Sequence, residues 1–191
     1  MDKIGKTFEA LRAANSAVLN LEDRTVSLRR KESAVPIKER ITHCHTIADT
    51  LVSSSSKSHP EFGKYLAQAF ETFLLLCADS DADLRMVADS CLNRIIKHSL
   101  LESNATRVQV ELYKELKRNG HWRSLRAALT KFADLSHLIR PVKARVFAVS
   151  LLGCVSEFAK RPEEAIQDAL GQTIGKMWPF LGRYFSDDET K

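Results

Sequence analysis

Three groups of side chains in this sequence could do chemistry. His43-Cys44-His45 brings two imidazoles and a thiol together, ligand types that suit zinc. On a helix, however, adjacent residues diverge by about 100°, and two ligands of one ion sit three or four positions apart. Cys44 also falls on an apolar stripe, so the three read as core and surface positions. No metal is expected.

The second group is basic. Between Arg107 and Lys131 lie seven cations (Arg107, Lys114, Lys117, Arg118, Arg123, Arg126 and Lys131) and two acids, Glu111 and Glu115. That excess equals the net charge of the whole chain, +5. With His121 and Trp122 among them, these residues could hold an acidic protein or, less readily, nucleic acid. The plainer reading is a solvated helix face: Lys117 and Arg118 suit a helix C-terminus, and Glu111 and Glu115 can pair with Lys114 and Arg118.

The third group opens the chain. Ile4, Phe8, Leu11 and Val18 form one narrow helical stripe, with Lys3, Lys6 and Arg12 on its flanks. Such a helix can lie in a membrane interface, its cations on anionic headgroups. The alternative is docking on the following helices as a cap. Gly5 weakens the helix in water, so residues 1–19 are expected to order only on a surface and to bind membranes weakly. No glycine-rich phosphate loop or nucleophile elbow occurs, which predicts no enzyme and no cofactor.

The elements that must position these groups are helical. Seven glycines and five prolines are few for a fold with a tight turn between every strand, and 44% apolar residues suffice for a core. Cys44, Cys77, Cys91 and Cys154 are scattered within apolar stretches, as expected of buried thiols in a reducing compartment. Met1-Asp2-Lys3-Ile4-Gly5-Lys6 lacks the apolar core of a signal peptide. The longest charge-free run, Val146 to Ser156, is far too short to span a bilayer.

After the first helix (1–19) comes a polar basic linker at 20–35 containing Arg29-Arg30-Lys31. Helical periodicity then resumes with Ile37, Ile41, Cys44, Ala48 and Leu51. Ser58-His59-Pro60-Glu61 reads as a capping box for a helix burying Phe62, Leu66, Ala69, Phe70, Phe73, Leu74 and Cys77. Asp79-Ser80-Asp81 turns into a helix with Leu84, Ala88, Cys91, Leu92, Ile95 and Ile96 inward. Val108, Leu112 and Leu116 line the next, which stops at Asn119-Gly120. Leu125, Leu129, Phe132 and Leu135 follow, then Val142, Val146, Val149, Leu152, Val155 and Phe158. The last helix carries Ile166, Leu170, Ile174 and Met177 before Pro179 disrupts it.

These helices come in pairs with a period. Leu84-Arg85-x-x-Ala88-x-x-x-Leu92, Leu125-Arg126-x-x-Leu129-x-x-x-Ala133 and Ile166-Gln167-x-x-Leu170-x-x-x-Ile174 are separated by two steps of 41 residues. A period near 40 with two helices per unit marks a HEAT or armadillo array. The expected fold is therefore an all-α solenoid of antiparallel helix pairs over 36–185, with a separate amphipathic helix before it and a polar tail at 186–191. The lack of a capping helix at that tail predicts an amino-terminal piece of a longer array.

Phe70 to Ile96, with its acidic turn followed by Leu84-Arg85-x-x-Ala88-x-x-x-Leu92, resembles a HEAT repeat. The resemblance implies a turn role for Asp81 and, for Arg85, a charge reaching across the groove between repeats. Arg126 keeps the arginine in the next unit, where Trp122 stands in the place of Asp81; in the third, Glu163 restores the acid and Gln167 replaces the arginine. Arg85-Met86-Val87-Ala88-Asp89, Glu111-Leu112-Tyr113-Lys114-Glu115, Arg123 to Leu129, Arg140-Pro141 and Arg161-Pro162-Glu163-Glu164 resemble, in that order, the amino-terminal HEAT region of the huntingtin family. Lys6-Thr7-Phe8-Glu9-Ala10-Leu11 is similar to the amphipathic segment that begins that family. Arg29 to Ser33 and His43-Cys44 are similar to the family's basic stretch and to the first helix after it. No polyglutamine or polyproline tract lies between. Ala10 and Ala13 occupy places where family members can carry serines, so phosphorylation there does not carry over.

The resemblance implies a non-enzymatic protein-interaction scaffold, a large cytoplasmic hub of vesicle transport along microtubules and of selective autophagy. Its implied partners are a dedicated α-helical protein, transport and autophagy factors, and the further HEAT repeats of its own chain. Vesicle association is expected, and nuclear location is left open. Two other classes remain: a peripheral membrane module anchored by the first helix, and a HEAT-type transport or nucleic-acid-associated adaptor.

Overall fold

The computed structural model describes residues 4–10, 35–53, 59–101 and 104–186. Residues 4–10 are helical (α1), followed by α2 (Ile37–Val52), α3 (Phe62–Leu76), α4 (Ala82–Leu101), α5 (Ala105–Arg118), α6 (Trp122–Asp134), a 3₁₀ turn at Ser136–Leu138, α7 (Pro141–Phe158) and α8 (Glu164–Ser186). No strand occurs among the described residues. The hairpins α3/α4, α5/α6 and α7/α8 are the repeat units; α2 packs on α4, α6 on α8, and α3 on both α5 and α6.

The 41-residue step is visible in the core. Leu84, Leu125 and Ile166 are all 0% exposed, and Ala88, Leu129 and Leu170 are buried below them. One turn further the register slips: Leu92 and Ala133 are buried, but Ile174 is 37% exposed and Thr173 and Met177 take the inward positions.

Local chemistry sets the turns. The Asp79 carboxylate accepts the Asp81 N–H (2.9 Å), and the Asp81 carboxylate accepts the Leu84 N–H (2.9 Å), so the acidic turn caps α4. Asn119 closes α5 in the left-handed region at φ 48°, its N–H donating to the Glu115 and Leu116 carbonyls. His121 Nδ1 then accepts the Arg123 N–H and opens α6. Upstream, α3 begins only at Phe62, and His59 Nδ1 accepts the Glu61 N–H; Ser58 of the expected capping box lies outside the described residues.

Four expectations need correction. Ile37 is 42% exposed, and the inward stripe of α2 instead begins at Arg40, which is 4% exposed. In α7, Val142 and Val146 are 82% and 62% exposed, while Ala144, Phe147, Leu151 and Phe158 are buried. That helix is apolar nearly all round, so periodicity could not choose its face. Large side chains did: Phe147 meets Phe132 and Tyr113 edge-on, with centroids 5.7 and 6.1 Å apart. Pro179 does not end the last helix, which continues to Ser186. The carbonyl it leaves unbonded, four residues back at Gly175, is on an exposed face where water can serve it.

The fourth correction concerns α1. Ile4 and Phe8 are 1% and 2% exposed and belong to the same core cluster as α2 and α3. The Phe8 ring stacks on Tyr65 with centroids 6.1 Å apart. Gly5 lies beside the Tyr65 hydroxyl, where an added Cβ would sit 3.4 Å away. Over residues 4–10 the stripe is thus docked on the helices that follow rather than separate, with Phe8 stacked on Tyr65 and Ile4 buried in the shared core.

Candidate interaction surface

Successive second helices meet closely at α6/α8, but α4 and α6 stand apart and leave a groove of about 1000 Å³ between them. Arg85, Met86, Asp89, Ser90, Asn93, Arg94 and Lys97 line it from α4. Trp122, Arg123, Arg126, Thr130, Lys131 and Asp134 line it from α6, with Cys77 at its floor. Burial pushes the Cys77 thiol up to about 12, so it is a protonated, inert floor and not a nucleophile.

Six cations and two carboxylates face this groove. Lys131 is neutralised locally: its ammonium meets Asp89 at 2.7 Å and the Asn93 side-chain oxygen at 2.6 Å, and so crosses from α6 to α4. Arg94 pairs with Asp49 of α2. Arg85 donates to the Asp79 and Ser80 carbonyls, both at 2.9 Å, with no carboxylate against it. Arg123 lies over the Trp122 ring, 4.9 Å from its centroid. Among the described residues, Lys97, Arg123 and Arg126 have no ion pair.

The basic stretch 107–131 therefore does not form one patch. The α5/α6 hairpin splits it across two faces. On the α3/α5 face, Lys114 pairs with Glu111 (2.8 Å), and Arg118 bridges Glu71 and Glu115 (3.1 and 3.2 Å). Lys117 is exposed, and Arg107 is exposed with its guanidinium over Gly63, where a side chain would clash. Arg123, Arg126 and Lys131 turn to the groove, joined by Arg85, Arg94 and Lys97. Sequence reasoning missed the last two, since nothing in the order of residues says that α4 and α6 share a cleft.

The inter-repeat role expected for Arg85 is also corrected. It holds the turn of its own repeat, and Gln167 does the same in the third, donating to the Phe158, Ala159 and Arg161 carbonyls at 3.1, 3.4 and 2.7 Å. Other residues cross between units. Arg40 of α2 meets Asp79 at 2.5 Å with side chains 4% and 3% exposed. Arg161 reaches back to the Asn119 side chain (3.0 Å) and the Gly120 carbonyl (3.1 Å) while Glu163 grips it at 2.6 Å, which keeps the Glu163 carboxyl below its usual range. A charged residue heading an apolar stripe, as Arg40 does, was the available signal for a buried pair.

In the first two groups and the opening stripe, remaining positions are simply placed. Lys6 is exposed; Lys3, Leu11, Arg12 and Val18 lie outside the described residues. Cys44 is fully buried, His43 approaches Glu39 at 3.7 Å, and His45 faces Cys91 at 3.8 Å. Among the described residues no helix is long and apolar enough to cross a membrane.

Antiparallel helix pairs with a 41-residue core step, an acidic turn that caps α4 and a groove between second helices define a HEAT-repeat protein. Residues 73–191 match the family model described as Huntingtin, N-terminal HEAT 1. The chain is 47% identical to huntingtin of Takifugu rubripes over 192 aligned residues, covering 100% of this chain and 6% of that protein. It is 34% identical to the HD protein homolog of Dictyostelium discoideum over 84 residues, 44% of this chain and 3% of that one. The chain belongs to the huntingtin family, and it spans a small fraction of the length of these relatives. It is a huntingtin-like HEAT-repeat segment.

Proposed function

We propose that this segment serves a cytoplasmic, partly vesicle-associated hub of vesicle transport and selective autophagy, and that its stacked helices hold an α-helical partner, transport and autophagy factors, and further repeats of the same array. The observation that carries this reading is the combination of an open charged groove with exposed apolar side chains one turn apart on α7, Val142 at 82% and Val146 at 62%. Contiguous exposed apolar surface of this kind marks protein–protein contact sites. The test is rescue. In cells lacking the endogenous protein, full-length protein should restore vesicle run speed and clearance of autophagic cargo, and a version lacking 36–185 should restore neither. Full rescue by the deletion would remove this segment from the function.

A membrane role for the opening helix requires Phe8 to leave Tyr65 and Ile4 to leave the core, since both are buried in the docked state. Sedimentation with anionic liposomes distinguishes the two states. Tyr65→Ala should raise binding if the helix is released to lipid, and a version starting at Asn20 should bind less than the full chain. Equal binding by all three would remove the anchor.

A further inference from the structure

We propose that the groove between α4 and α6 is a docking site for an acidic, extended peptide segment of a partner protein, held by Arg85, Lys97, Arg123 and Arg126 with an apolar side chain seated against Trp122 and Met86. This rests on the scaffold reading and names the chemistry of one partner.

Charge complementarity comes first. Of the six cations that face the groove, only Lys131 and Arg94 are neutralised by a carboxylate, Asp89 and Asp49 respectively. The other four present their charge to a concavity between two helices, where low-dielectric walls concentrate the field. Aspartate or glutamate side chains on an extended strand can reach alternate arginines, which favour bidentate contact with carboxylates. Preorganisation comes second. Trp122 is half-buried and holds Arg123 over its ring at 4.9 Å, so that guanidinium is positioned before any ligand arrives. Arg85 is fixed in the same way by two carbonyls of its own turn. Apolar purchase comes third: Met86 is 65% exposed on the α4 wall, a flexible side chain suited to varied apolar partners.

A nucleic-acid strand fits less well. It carries a charge at every nucleotide and stacks its bases on successive rings. This groove offers one tryptophan, and its walls carry the Asp89 and Asp134 carboxylates, 47% and 53% exposed. A peptide can set neutral residues opposite those acids. A phosphate chain cannot.

The measurement is fluorescence anisotropy of a labelled oligoglutamate containing one leucine, titrated with the 191-residue chain at low and at physiological salt. The variant Arg123→Glu with Arg126→Glu should weaken binding by about tenfold or more, because two attractions become repulsions. Lys114→Glu with Lys117→Glu imposes the same charge change outside the groove and should change it by less than about twofold. Trp122→Leu should weaken the leucine-containing probe more than a plain oligoglutamate. Circular dichroism confirms that each variant keeps its helices. Equal loss from both charge reversals would show nonspecific attraction and overturn the proposal. So would an oligothymidine probe that binds more tightly than the peptide and is lost with the groove variant, which would make the site one for nucleic acid. Because this titration reads the groove alone, its failure leaves the scaffold reading to the rescue experiment.

Discussion

The two flanks of α4 and α6 differ in kind. On their outer sides α4 packs on α2 and α6 packs on α8, whereas facing each other they stand off across the groove. The corresponding face of the third repeat shows what side chains contribute. Stepping by 41 residues from Arg85, Met86, Asp89 and Asn93 gives Arg126, Ala127, Thr130 and Asp134, then Gln167, Asp168, Gly171 and Gly175. On α8 the arginine has become an amide and two side chains are gone, with nothing within 4 Å of a Cβ built on either glycine. One backbone plan thus carries a cationic cleft in its first two units and, at the same positions of its third, an amide, a carboxylate and two glycines with no cation. Charge in this array is a property of the groove, not of the repeat.

The sharpest way to test that division is to damage a closed side. Phe132 is 0% exposed and packs edge-on against Phe147. Phe132→Ala should cost about 3–5 kcal/mol in chemical denaturation. Because α6 also supports α7 and α8, amides of the third repeat should lose hydrogen-exchange protection first. Loss confined to α4 would mean that the groove, and not α6/α8, is the tighter joint.

The other closed side depends on a buried ion pair. Asp79→Asn keeps an oxygen for the Asp81 N–H but removes the carboxylate charge buried against the Arg40 guanidinium, which should cost about 3 kcal/mol. Asp79→Ala should cost about 1 kcal/mol beyond that, for the lost turn bond. In the groove the scale is smaller. Lys131→Met removes the ion pair with Asp89 that crosses from α6 to α4 and should cost less than about 1 kcal/mol by thermal denaturation, since Asp89 is half in water. If Lys131 proves as costly as Asp79, the groove is a sealed interface and the comparison fails.

Legibility from the order of residues divides in the same way. Closed, apolar contacts repeat every 41 residues and leave a period in the side chains, so Leu84, Leu125 and Ile166 were legible as one core position. Asn119-Gly120 was legible as a helix end because its left-handed backbone limits the residue types that fit. The face of α7 was not legible, as valines and phenylalanines surround it and only Phe132 and Tyr113 on other helices select Phe147. The groove was hidden for a related reason: Arg94 and Lys97 are ordinary helix-surface residues until α6 is placed opposite them. Arg40–Asp79 joins positions 39 apart, so the charge at the head of the α2 stripe could signal a buried pair without naming its partner.

The smallest effect lies behind the groove, in the α5/α6 hairpin that forms one of its walls. Glu115 has only 3% of its side chain exposed and sits in the last turn of α5, where carbonyl dipoles disfavour a negative charge. Burial raises its pKa above the ordinary 4.5, Arg118 offsets part of that, and Glu71 adds to it. A carboxyl whose folded pKa exceeds its unfolded value binds more protons when folded, so the charged form weighs against the fold at neutral pH. Glu115→Gln should therefore melt slightly higher than the parent at pH 7, with Arg118 still held by Glu71. As pH falls through the raised pKa and then below about 4.5, the parent carboxyl becomes protonated in both states and the advantage should vanish. The check is the difference in melting temperature between the two proteins across that pH range. A difference that persists unchanged in acid would place its origin in packing, and a parent more stable at pH 7 would show that Arg118 outweighs burial in this wall.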